Sequence, residues 1–97
     1  MKLTWAYGSG PATTQELANI VEAEGRLITR AYISSEGRCL WGIIRDSIQG
    51  NSARRSLNLR DSALLRSFRL STVDNDYFIG TPEQRCVEMV KRLRAIK

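Results

Sequence analysis

The segment Thr81-Pro82-Glu83-Gln84 constrains this chain more than any other. Thr is a favoured N-cap, Pro suits the first helical position because an amide there would be unsatisfied anyway, and Gln at N3 reaches back to the cap. Behind it Cys86, Met89, Val90, Leu93 and Ile96 recur at helical spacing. The chain therefore ends in a helix with one apolar face that another element has to cover. Glu88 stands four positions before Arg92, a supporting pair on the exposed side.

Two further stripes have the same period. Thr13-Thr14-Gln15-Glu16 reads as a capping box, Leu17, Ile20 and Val21 follow it, and Gly25 stops the helix, which spans residues 14–24. From Cys39 onward, Leu40, Ile43, Ile44, Ser47 and Ile48 predict a second helix buried along one side, closed by Gln49-Gly50-Asn51-Ser52. Gly42 inside it costs about 1 kcal/mol relative to Ala, which implies close approach of another element. Residues 53–70 hold helix formers with a weaker stripe of Leu57, Leu64 and Phe68, flanked by Leu65, and fit one helix or two short ones. Residues 3–7 and 26–34 have strand character, whereas 71–80 are polar and irregular. With 97 residues and 42% apolar composition, one core and a single domain over 1–97 are expected. The predicted fold class is α+β: a small, mainly helical domain of about four helices with a short strand or hairpin.

The chain contains no histidine. Ser-His-Asp and Cys-His nucleophiles, HExxH zinc sites and imidazole general bases are all excluded. Cys39 and Cys86 lack the paired soft ligands that structural zinc needs, and a disulfide between them stays open. Cys39 at a helix start has a dipole to lower its thiol pKa but no base to take its proton, so a small buried cysteine is the expectation. Asp74 and Asp76 flank Asn75 without the further oxygens or spacing of a calcium loop, and they are expected to fix a turn. No metal, cofactor or catalytic residue is predicted. The longest uncharged apolar run, Cys39 to Ile44, falls far short of the ~20 residues that span a bilayer, and Met1 to Trp5 carries no apolar signal core. These features predict a reduced, cytoplasmic, soluble protein.

Charge is the unusual quantity. The net charge is +5, and Arg supplies most of the cations. Arg binds phosphate or carboxylate bidentately and stacks on bases, which Lys does not. The middle of the chain is the most basic stretch, with Arg45, Arg54, Arg55, Arg60, Arg66 and Arg69 against Asp46 and Asp61. Arg54 and Arg55 stand at an expected helix start, where free amides also favour anions. Arg66 and Arg69 are three apart and share a face if the helix continues, and Arg55 joins them in that case. Leu57, Leu64 and Phe68 would then occupy the buried side. Most of the two Trp, three Tyr and two Phe are expected in the core. RNP aromatics, a GxxG clamp, zinc fingers and a tight helix-turn-helix turn are all missing, so no sequence-specific reader is predicted.

Gly37-Arg38-Cys39-Leu40-Trp41-Gly42-Ile43-Ile44 resembles the Gly-Arg…Cys-x-x-Gly-Ala-[Leu/Ile] helix start of a family of small uncharacterised bacterial and phage-borne proteins. Asn75-Asp76, with Thr81 opening the last helix, resembles that family's Asn-Asp…Thr segment. Order and rough spacing agree over residues 26–93. The chain departs from the pattern at Ile43 (usually Ala), Tyr32 (usually Trp) and Phe78-Ile79-Gly80 (usually Pro-Gly-Arg). The resemblance implies a phage or mobile-element origin, and Asp76 holding the 71–80 loop against the Cys39 helix. Two functions are carried forward. One is a non-enzymatic accessory or counter-defence protein engaging nucleic acid or a nucleotide through Arg54, Arg55, Arg60, Arg66 and Arg69. The other is an interaction module that inhibits or adapts an acidic host protein.

Overall fold

Two capped helices carry the fold in a computed structural model, which describes residues 1–29, 37–48 and 56–97. The first, α1, spans Thr14–Glu24, and the last, α5, spans Pro82–Arg94. Between them lie α2 (Leu40–Asp46), α3 (Leu59–Ser67) and α4 (Thr72–Tyr77). A two-residue strand β2 (Ser56–Leu57) pairs antiparallel with β1 (Trp5–Tyr7). The domain is small and mainly helical, as the stripes predict.

Local chemistry sets the helix ends. Thr13 Oγ1 accepts from the Glu16 amide at 3.1 Å, and Glu16 reaches back to the Ala12 amide at 2.7 Å. Gly25 closes α1 at φ 81°, where its amide bonds the Val21 carbonyl. Thr81 and Gln84 form the predicted reciprocal box at α5, with bonds of 3.1 and 2.8 Å and Pro82 in the first turn. The stripes then meet. Leu17, Ala18 and Val21 pack against Cys86, Met89, Val90 and Leu93, and Leu40, Ile43, Ile44, Leu57, Leu65 and Leu70 complete one core. Ile20, expected on the α1 stripe, sits at its edge and is 39% exposed, because Ala18 takes the inward position. Gln15 Nε2 donates to the Arg94 carbonyl at 3.2 Å, and Cys86 Sγ to the Val21 carbonyl at 3.3 Å. These contacts tie opposite ends, so α1 and α5 run antiparallel.

Three expectations change. The partner of β1 is Ser56–Leu57, and residues 26–29 form no strand. In that segment Leu27 instead donates its amide to the Pro82 carbonyl and Ile28 to the Arg38 carbonyl, while 30–34 lie outside the described residues. Residues 71–80 are not irregular: α4 is closed by a Ser71–Asp74 capping box and anchored by buried Asn75. Six residues are too few to show a period, so no stripe announces this helix. The third change concerns α3. Its buried residues are Asp61, Ser62 and Leu65, whereas Leu64 and Phe68 are 36% and 44% exposed. The strand at 56–57 restarts the phase, so Leu57 belongs to a different element from Leu64 and Phe68.

Near the N-terminus, Trp5 Nε1 donates to the Pro11 carbonyl at 3.0 Å, and the loop folds over the indole. A Cβ on Gly10 would stand 2.7 Å from that ring, so only glycine fits there. Among the described residues, no helix is long and apolar enough to cross a membrane.

Candidate functional site

Helix α3 carries two of the arginines singled out from the sequence, Arg60 and Arg66, and Arg69 follows its end. Asn58 caps it by accepting from the Arg60 amide at 2.8 Å. Asp61, counted in sequence as an offset to the nearby arginines, turns inward instead. It is 8% exposed, and its Oδ2 accepts from the Thr4 amide at 2.7 Å, which fastens β1 to α3. Its charge is thus engaged by the backbone.

The far end of α3 is a Schellman motif. The Leu70 amide bonds the Leu65 carbonyl at 3.2 Å and the Arg69 amide bonds the Arg66 carbonyl at 3.1 Å. Leu65 and Leu70 are both fully buried, the apolar contact that usually accompanies the motif. The left-handed position is normally glycine, yet here it is Arg69 at φ 60°. Among the described residues no other non-glycine has positive φ. A side chain there costs roughly 1–2 kcal/mol.

The Arg69–Leu70 turn is also where other elements converge. Trp41, the second residue of α2, donates its indole N–H to the Leu70 carbonyl at 2.7 Å. The Arg66 guanidinium carbon lies 5.3 Å from the centroid of that indole, within cation–π range. From α5, Arg92 Nη1 donates to the Arg69 carbonyl at 2.9 Å while its Nε binds Glu88 at 3.1 Å. Arg66, Arg69 and Arg92 therefore gather about the half-buried Trp41, with exposed Phe68 next in the chain.

The sequence-predicted set is redistributed. Arg66 and Arg69 come together through a turn rather than a shared helical face, because α3 ends at Ser67. Arg60 lies six positions before Arg66, roughly 120° away around the helix, on the flank of exposed Leu64. Arg54 and Arg55 lie outside the described residues, and β2 rules out a helix running on from them into α3. Sequence reasoning does not assign Trp41 and Arg92 to this site. The available signal is that Trp41 stands off the Leu40/Ile43/Ile44 stripe.

The remaining arginines divide by partner. Arg38 bridges Glu24 at 2.6 Å and Asp46 at 3.1 Å, linking the ends of α1 and α2. Its bond to Glu24 chiefly pushes its pKa up, against the opposing effect of burial. Arg94 meets Glu22 at 3.3 Å. Arg85 is 7% exposed and donates to the Leu27 and Phe78 carbonyls. Arg60, Arg66 and Arg69 have no carboxylate within ion-pair distance among the described residues.

Neither cysteine has the environment of a nucleophile. Cys39 caps α2 through its sulfur, which accepts from the Gly42 amide at 3.4 Å, and burial pushes its thiol pKa up against the lowering effect of that amide. Burial likewise raises that of Cys86, and both thiols are free. Asp74 serves the α4 cap, with its Oδ2 accepting from the Ser71 hydroxyl at 2.7 Å. Asn75 holds α4 to α2. Its Oδ1 accepts from the Leu40 amide at 3.2 Å, and its Nδ2 donates to the Ile28 carbonyl at 2.9 Å and to Asp76 Oδ1 at 3.0 Å.

One concave feature lies elsewhere. A surface groove of about 530 Å³ between α1 and α5 is lined by Glu22, Cys86, Val87, Val90, Lys91 and Arg94 among others. Those α5 residues occupy the face opposite Arg92 on the helix, so the groove and the arginine cluster are separate. No family model matches the chain, and neither a curated protein nor a solved structure is significantly similar to it.

Proposed function

We propose that this chain is a small, non-enzymatic, cytoplasmic binding protein that engages a phosphate-bearing ligand, a nucleic acid or nucleotide, through the basic surface around Trp41. The observation that carries the reading is Arg69, an exposed arginine without a carboxylate partner in a backbone position where glycine is cheaper. A strained residue kept at the surface is accounted for by what its side chain binds. Arg66, whose guanidinium carbon lies over an indole and which is equally without a carboxylate among the described residues, adds a planar donor beside it. Exposed Arg60 adds a further cation on α3, and Arg54 and Arg55, outside the described residues, remain part of the proposed set by sequence alone.

Salt titration tests it. Each phosphate contact releases counterions, so log affinity falls with log salt by about 0.7 to 0.9 per contact. Replacing Arg60, Arg66 and Arg69 together by Ala is expected to flatten that slope by roughly 2 to 3. Lys at the same positions restores long-range attraction but not bidentate contact, and partial rescue is the expected result. Failure to bind DNA, RNA or nucleotides at low salt overturns the reading.

A second reading has its own observation. Leu59 is 85% exposed on the first turn of α3, near Arg60 and exposed Leu64. An apolar anchor beside a cation suits an acidic host protein, which is where a phage-borne inhibitor or adaptor would act. Such a partner would show a weaker salt slope and a sharp loss on Leu59→Ala.

A further inference from the structure

We infer that the ligand of the Trp41 surface is a single-stranded nucleic acid, bound without sequence preference by stacking as well as by charge. The inference rests on the phosphate-binding reading above and narrows it. Duplex binding by a short helix requires polar and basic side chains along the face that enters the groove. The outward side of α3 carries Leu59, Ala63, Leu64 and Ser67 around a single basic residue, Arg60, while Arg66 stands at one flank and Arg69 beyond the end. No row of arginines faces a groove.

Single strands ask for something else, namely exposed aromatic faces interleaved with cations along the backbone path. That combination is present at the end of α3. Phe68 is 44% exposed and stands between Arg66 and Arg69 in the chain. A core role would have hidden it, and Leu65 and Leu70 fill the core on either side. Trp41 adds a second aromatic surface with the Arg66 guanidinium carbon over it at 5.3 Å, a cation–π contact that a base can extend or replace. The Leu70 carbonyl fixes the indole and the Arg92 guanidinium fixes the Arg69 carbonyl, so the surface is ordered before a ligand arrives. An unstacked base has a free face for Phe68, whereas a paired base inside a duplex does not.

Fluorescence anisotropy on the full chain decides the matter, with labelled oligo-dT and oligo-U of about 15 nucleotides, within the range one small domain tracks. The comparison ligand is a duplex of the same length. Both single strands are expected to bind at least about tenfold more tightly than the duplex at equal salt. Phe68→Leu keeps an apolar side chain of similar bulk, and its melting temperature is checked first. It is expected to weaken single-strand binding about 5- to 150-fold, the range for one lost stacked base. Duplex affinity and the salt slope stay unchanged, and Phe68→Trp retains binding. Equal or tighter duplex binding, or single-strand affinity indifferent to Phe68→Leu, overturns this inference while the phosphate-binding reading stands. Failure of all three ligands to bind overturns both.

Discussion

The α1–α5 pair and the α2–α3–α4 region are built on different terms. In the first, Leu17, Val21, Met89 and Leu93 interdigitate at or near zero exposure, and Arg94 is used in an ion pair with Glu22. In the second, the helices are shorter, their buried positions include Asp61, Ser62 and Asn75, and Leu59, Phe68, Val73 and Tyr77 face outward. Arg60 and Arg66 have no carboxylate partner among the described residues there. One half rests on a long helix–helix seam, whereas the other adds the specific hydrogen bonds of Asn75 and Asp61 to its share of the apolar core. The comparison teaches that the second half leaves more of its apolar side chains at the surface, which is the feature the proposed binding face would use.

The sharpest test of that contrast is Asn75→Ala. The change leaves the Leu40 amide and Ile28 carbonyl without their partner in a buried site, at about 1–3 kcal/mol each. A loss of about 3 kcal/mol or more by urea denaturation is expected, comparable with deleting a large core side chain. A loss under about 1 kcal/mol would show that α4 is held by packing like the first half.

Arg69→Gly probes the proposed binding face and has the opposite sign. Glycine relieves the left-handed backbone, so stability is expected to rise by about 1 kcal/mol while nucleic-acid affinity falls. Unchanged affinity would reduce Arg69 to a cap residue.

The smallest effect concerns pH. With no histidine, the melting temperature is expected to stay flat between about pH 6 and 8. Both thiols have raised pKa values in the fold. Their stabilising contribution is complete below the unfolded thiol value near 8.5 and declines as pH climbs through the higher folded values. The melting temperature should therefore begin to fall above about pH 8.5, and Cys86→Ala should make the fall shallower. An equal fall in that variant would assign the effect to other groups.

What can be read from the sequence follows the same division. The caps at Thr13 and Thr81 and the stripes of α1, α2 and α5 are visible because a long apolar face imposes its period on the chain. α4 is hidden because a capping box and one buried Asn leave no periodic trace. On α3 the period misleads: Leu57, Leu64 and Phe68 match a helical spacing, but a strand intervenes and Leu65 is the anchor. For the site, arginine content points to the α3 neighbourhood. It does not reveal that Arg69 turns left-handed or that Trp41 from α2 and Arg92 from α5 arrive beside it, because those are tertiary facts.

The antiparallel seam between α1 and α5 also bears on how the molecule is made. Gln15 and Arg94 meet across 79 positions, and Val21 and Cys86 across 65. During synthesis α1 emerges long before the helix that covers it. At about 5–20 residues per second the intervening chain takes several seconds to appear. Through that interval the Leu17 and Val21 stripe lacks the α5 part of its native cover, and the entropy of closing so long a loop opposes the first pairing of the two helices. Until α5 emerges, that uncovered stripe is the surface a chaperone would meet on the nascent chain.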